Sequence, residues 1–183
     1  MEGLHDGPAS SLFSPVGLDA SINFDDLESW PGITSQFAAA SKEAIRGSCT
    51  AWGIPFKIEK VIVLDQKPVE IAIKPLQTRW LVFLHTSDQY PLERNPGGLV
   101  KTFRGEGRLN ELAAAYIIQY SDGSEARSEI RRRHQIGAFN PHWGENCFQA
   151  VAQHKPHPLP PRRMGALGRP NPPARIWSTP LPG

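Results

Sequence analysis

Only two cysteines, Cys49 and Cys147, occur in the 183 residues. Disulfide-scaffolded domains carry a far higher density of them, so the fold has to rest on an apolar core. Sequence alone does not bring the two within the roughly 7 Å between Cα atoms that a single bridge requires. The chain also lacks long apolar runs. None approaches the roughly 20 residues that span a bilayer, and the first residues do not have the basic start and apolar stretch of a secretion signal. The expectation is a soluble chain with no membrane partner and an undetermined location. Charge of one sign is missing too: 20 Lys and Arg stand against 18 Asp and Glu, a net charge of +2. Nucleic-acid binders concentrate cations on one face, so no nucleic-acid partner is expected. The one basic run, Arg131-Arg132-Arg133-His134, follows Glu125 and Glu129 and reads as a solvated strand end.

Motifs for chemistry are equally scarce. No Gly-x-Ser-x-Gly elbow occurs, and no glycine-rich phosphate loop precedes a helix. Gly105-Glu106-Gly107 is too short to stand for one. Good helix formers gather in one place, the alanine-rich stretch Gln36 to Arg46.

What the chain has is ordinary globular composition, 39% hydrophobic and 21% charged, with 18 prolines and 16 glycines. The prolines crowd the segment from Pro156 onward, where fixed φ and missing amide hydrogens oppose helix and central strand alike. This divides the chain into a flexible lead-in over 1–15, one domain over 16–153, and a proline-rich tail or truncated continuation over 154–183.

Within the domain the apolar residues alternate. Val16, Leu18, Ala20, Ile22 and Phe24 oppose Gly17, Asp19, Ser21 and Asn23, the period-two pattern of a half-buried strand. From Trp52 such stretches become dense: Ile54 to Ile58, Val61 to Leu64, Val69 to Lys74, and Arg79 to Thr86. The last is apolar on both faces, which predicts a central strand with Trp80 in the core. A long connection follows from Gln89 to Asn110, and long connections are often functional. Ala113 to Tyr120 and Glu125 to Ile130 then flank Asp122-Gly123. That dipeptide predicts a hairpin with a type I′ turn, its outgoing limb an exposed strand with Ala126, Ser128 and Ile130 on one face and Arg127, Glu129 and Arg131 on the other. Short strands joined by Gly and Pro turns predict an all-β antiparallel sandwich.

The succession Trp52-Gly53-Ile54-Pro55-Phe56, Val61-Ile62-Val63-Leu64, Val69-Glu70-Ile71-Ala72-Ile73, Leu81-Val82-Phe83-Leu84-His85-Thr86 and Tyr116-Ile117-Ile118-Gln119-Tyr120-Ser121-Asp122-Gly123-Ser124 resembles the galactose-binding-like jelly-roll modules of bacterial glycoside hydrolases and related polysaccharide-degrading proteins. The resemblance covers residues 16–143; Ile136 to Trp143 matches weakly, so the sandwich is expected to close differently or to be incomplete at its C-terminal side. It implies a jelly-roll accessory domain, a non-catalytic role in carbohydrate contact or interdomain packing, and a parent protein acting outside the cytoplasm. Oligosaccharide or polysaccharide and the catalytic domain of the parent protein would be its partners, with no cofactor.

Candidate side chains follow from that chemistry. Sugar rings stack on flat apolar faces beside planar polar groups, and Asn140, His142, Trp143 and Glu145 are the one local set offering both. His85, among apolar neighbours, reads as a structural histidine. His142, Cys147, His154 and His157 lack the close ligand pairs of a zinc site, apart from the last two, so no metal is expected. A glycoside hydrolase would need two converging carboxylates. Asp25, Asp26, Glu28 and Asp88 are the candidates for that alternative, and a purely structural spacer is the other.

Overall fold

A computed structural model describes residues 6–89, 92–100, 105, 107–141 and 145–152, and the backbone of 177–180. The described chain is β-rich, with strands in three small antiparallel sheets. β1 (Gly47–Ala51) pairs with β2 (Ile54–Ile58). β4 (Leu112–Gln119) pairs with β5 (Glu125–Arg131). The third sheet has the order β3 (Val82–Phe83), β7 (Trp177–Pro180), β6 (Val151–Ala152). A 3-10 helix over Phe24–Ser29 and one α-helix, α1 (Ser35–Ser41), precede the strands. Among the described residues no helix is long and apolar enough to cross a membrane.

Both hairpins follow from local chemistry; the one expected, at Asp122-Gly123, does not use the type I′ turn expected of it, and the other was not expected. β4 and β5 meet at Asp122-Gly123 with Gln119 opposite Glu125, and Ala126, Ser128 and Ile130, expected on one face, all face inward. Gly123 has φ +84°, whereas Asp122 is not in the left-handed region. The Gly123 amide donates to the Tyr120 carbonyl and the Tyr120 amide to the Ser124 carbonyl. This is a turn followed by one left-handed glycine, a longer loop than type I′. Asp122 Oδ1 accepts from the Ser124 amide at 2.9 Å and its hydroxyl at 2.6 Å, an arrangement typical of Asp at turns. The two-residue turn with both φ positive lies elsewhere, at Trp52 (55°) and Gly53 (79°), joining Ala51 to Ile54.

The core starts where the 3-10 helix packs on the first hairpin. Ile22, Phe24 and Leu27 are buried and are flanked by Trp30, Ile33, Phe37, Ala44, Ile58, Val61 and Val63. Each large apolar side chain so buried stabilises the fold by roughly 1.5–3 kcal/mol. Phe37 carries the contact onward, meeting Phe139 edge to face with centroids 5.1 Å apart. Thr34 caps α1 by accepting from the Phe37 amide at 3.2 Å, satisfying one of the free donors of a helix start.

Four expected strands are cut down. Over 16–24 only Ile22 enters a ladder, as a single bridge to Val61, while Val16 and Leu18 are 41% and 46% exposed. Val61 to Leu64 keeps that one bridge, and Val69 to Lys74 forms no strand. Pro68 and Pro75 bracket the latter and remove the amide donors that would start and end a ladder. Arg79 to Thr86 shrinks to Val82–Phe83, and Trp80, expected in the core, is 49% exposed. Alternation makes a segment fit for a sheet, but a strand exists only where a neighbour supplies backbone partners. Gly47–Ala51, which gives no such alternation, is a strand because the tight Trp52-Gly53 turn folds it back onto β2.

Candidate binding crevice

Beyond β5 the chain keeps its inward alternation for one more step. Asn110 and Arg132 extend the β4–β5 pairing, with the Asn110 amide donating to the Arg132 carbonyl at 3.0 Å and the Arg132 amide to the Glu111 carbonyl at 2.8 Å. Ile130 is fully buried. Arg132, in phase with it, therefore points inward, its side chain 15% exposed. The run expected to be a solvated strand end is instead built into the molecule at Arg132, because two-residue periodicity outlasts the strand.

Arg132 Nη1 donates to Ser87 Oγ and to the Asp88 carbonyl, both at 3.0 Å. Its Nε lies 3.6 Å from Glu111 Oε1, and Arg108 Nη1 approaches the same oxygen at 3.3 Å. Glu111 thus bridges two guanidinium groups. Arg133, at φ 61°, turns the chain and donates its amide to the Ile136 carbonyl. Gly107 gives the closest approach: a Cβ there would stand 2.6 Å from Glu145 Oε1 and 2.7 Å from Arg133 Cδ.

These groups line a crevice of about 10 Å³ whose walls include Gln89, Gly107, Arg108, Arg132, Arg133 and Glu145. That is about the room of one water molecule. Gln89 Nε2 and Arg108 Nε are buried there with no hydrogen-bond acceptor among the described residues. Gln89 and Arg108 sit near the two ends of the long connection singled out in the sequence.

Of the four expected ligand-contacting residues, Glu145 lines the crevice. Asn140 is exposed, one position before the lining residue Pro141. His142 and Trp143 lie outside the described residues, as do His154 and His157. Cys49 and Cys147 are free thiols. Burial holds the Cys147 thiol above its ordinary pKa, with Arg133 opposing and Glu145 reinforcing the shift. Among the described residues no three His, Cys, Asp or Glu side chains gather as a metal site would require.

The carboxylates considered for hydrolysis are spread over separate local contacts. Asp25 pairs with Arg46 at 3.0 Å, and Glu28 with Lys42 at 2.7 Å. Asp26 accepts from Asn23 Nδ2 at 2.7 Å. Asp88 accepts from the Thr34 amide at 2.7 Å and the Thr34 hydroxyl at 2.8 Å, tying the start of α1 to the segment after β3. It also takes the Gln89 amide at 2.7 Å, so it orients the residue that enters the crevice. Sequence reasoning missed this role.

His85 sits between β4 and the turn after β5. Its Nε2 faces the Gln135 carbonyl at 2.9 Å and its Nδ1 the Tyr116 hydroxyl at 2.6 Å. A carbonyl only accepts, so Nε2 carries the hydrogen and Nδ1 accepts from tyrosine. Burial lowers the His85 pKa below its usual value, against the opposing pull of the Gln135 carbonyl. Burial also raises Tyr116 to about 12.

Comparison of the chain with protein-family models, with curated proteins and with solved structures finds no match.

Proposed function

We propose that this chain is a non-catalytic accessory module, a jelly-roll sandwich in the manner of the galactose-binding-like domains, that contacts carbohydrate for a polysaccharide-processing parent protein. The observation that carries the reading is the crevice. A glutamine amide, three guanidinium groups and the Glu145 carboxylate converge there, and planar polar groups are what sugar hydroxyls bind in clefts. The dispersal of Asp25, Asp26, Glu28 and Asp88 into separate contacts favours binding over hydrolysis. Glycosidic cleavage needs two carboxyl groups about 5–9.5 Å apart across one bond. Only a hydroxyl or similar small group fits the crevice itself, so a saccharide would lie across its mouth, beside Pro141 and Glu145.

Affinity electrophoresis in gels containing neutral and acidic polysaccharides tests the reading. The purified chain should be retarded in at least one of them, and chromogenic glycosides should remain intact. Turnover that disappears in Asp25→Ala or Asp88→Ala would make the chain a hydrolase, and unchanged mobility in every gel would leave a structural spacer.

A further inference from the structure

We propose that the second edge of β5 is a self-association surface, on which a second copy of this chain pairs antiparallel about Ser128. The inference is independent of the carbohydrate reading and stands on three observations.

The first is an open edge. Hydrogen-bonded and non-hydrogen-bonded pairs alternate along an antiparallel ladder. The Tyr120 amide bonds to the Ser124 carbonyl at one end of the hairpin, and the Arg132 amide to the Glu111 carbonyl at the other. In the register between them, Ala126, Ser128 and Ile130 therefore turn their backbone groups towards β4. Those of Glu125, Arg127 and Glu129 point the opposite way, where no strand among the described residues pairs with β5. Arg131 has the same phase, and its amide donates to Gln135 Oε1 at 2.9 Å, which closes the edge at that end. An open row of this kind is a template for a further strand.

The second is the order of charges. Glu125, Arg127, Glu129 and Arg131 alternate in sign along the outer face of β5. A two-fold axis at Ser128 sets Arg127 opposite Glu129 of the second copy and Glu125 opposite Arg131, and symmetry makes each pair twice. Opposite charges directly across a ladder stabilise it and like charges oppose it. Moving the axis to Arg127 or to Glu129 sets like against like. Moving it to Ala126 leaves Glu129 facing the turn at Gly123, and moving it to Ile130 calls on the Arg131 amide that Gln135 already holds. Charged edges ordinarily discourage pairing; this one selects a single register.

The third is what the four side chains leave open. Glu125 accepts from Gln119 Nε2 at 3.0 Å, and Glu129 meets Arg131 through Oε2 alone. The Arg127 guanidinium and Glu129 Oε1 have no partner among the described residues. These are the two groups that the axis at Ser128 brings face to face, and at the same positions the backbones exchange both of their ladder bonds. The shared ladder is short and its charges are exposed, so the association is reversible and weakened by salt.

Sedimentation equilibrium of the full chain at low salt tests the proposal. The parent chain should pass from monomer to dimer as its concentration rises, and added salt should shift it back. Arg127→Glu and Glu129→Arg each place like charges at both symmetric sites, and each should raise the dissociation constant roughly tenfold or more. An equimolar mixture of the two variants should dimerise again, because each then supplies the sign that the other lacks. Both positions are exposed, and circular dichroism checks that the variants keep the parent's fold; recovery on mixing is a result that misfolded chains could not give. A parent chain that stays monomeric at every concentration would overturn the proposal. So would a dimer indifferent to both substitutions, or folded variants that remain monomeric when mixed.

Discussion

At the scale of single residues, His85 ties three segments through one neutral ring. Protonation would turn Nδ1 into a donor facing the Tyr116 hydroxyl and place a charge in a buried site. The folded-state pKa lies below 6.5, so at moderately acidic pH the unfolded chain binds the proton and the folded chain resists it. The stability due to this pair is complete above about pH 6.5 and is lost as pH falls from there through the folded-state value. Urea midpoints measured from pH 8 to pH 5 should decline, and His85→Gln should flatten the decline relative to the parent chain; parallel slopes would refute the assignment. Tyr116 works at the other extreme. Its pKa is raised from 10.0 to about 12, so its contribution persists up to pH 10 and fades above it. Gly107 is the other sensitive position, needed for space and not for φ. Gly107→Ala should push Glu145 and Arg133 aside, cost about 1–3 kcal/mol as overpacking does, and close the crevice. Chemical denaturation measures the loss, and an unchanged midpoint would show that the side chains around Gly107 give way freely. The residues around the crevice were partly legible. Glu145 was singled out beside planar polar neighbours, and it does line the crevice. Arg132 was missed because three consecutive arginines look like solvent-facing charge, although Ala126, Ser128 and Ile130 already marked the face it continues. Asp88 carries no local sign of its bond to Thr34, a partner far away in sequence.

At the scale of elements, the β4–β5 hairpin was legible, whereas the β1–β2 hairpin and the ladders were not. A hairpin is a local event, and alternation on either side of Asp122-Gly123 was enough to place β4 and β5. The turn geometry differed because Asp122 uses its side chain to hold Ser124, which a left-handed aspartate is not needed for. At Trp52-Gly53 the positive φ values belong to a pair that does not advertise them, since tryptophan rarely occupies that region. Trp52 is held there in part by its indole Nε1, which donates to the Ala152 carbonyl at 2.6 Å. Segments such as Val69 to Lys74 alternate well and still form no strand, since periodicity says which face would be buried and nothing about who pairs with it. β3 and β6 show the converse: each is two residues long, and both exist by pairing with β7, Val82 with Pro180 and Val151 with Ser178. Deletion of residues 153–183 should therefore abolish amide-exchange protection in β3 and β6 while leaving β4 and β5 protected. Retained protection at Val82 and Phe83 would show that those strands have another support.

At the scale of the whole molecule, the burial is concentrated and large apolar side chains are left exposed elsewhere. The buried apolar residues gather around the 3-10 helix, the first hairpin and the Ile130–Phe139 region. Leu64, Val69, Ile73, Leu76 and Trp80, by contrast, are each at least 40% exposed along an extended stretch. Single exposed apolar residues are normal on a protein surface. The third sheet adds a matter of timing. During synthesis Val82 and Phe83 emerge long before Thr179 and Pro180, so β3 must wait for nearly all of the intervening chain to be made before its neighbour arrives. Pairings that span such a separation form late and slowly. The local hairpins can be in place on the ribosome, whereas this sheet is assembled last, around a strand that joins two others having no bond to each other.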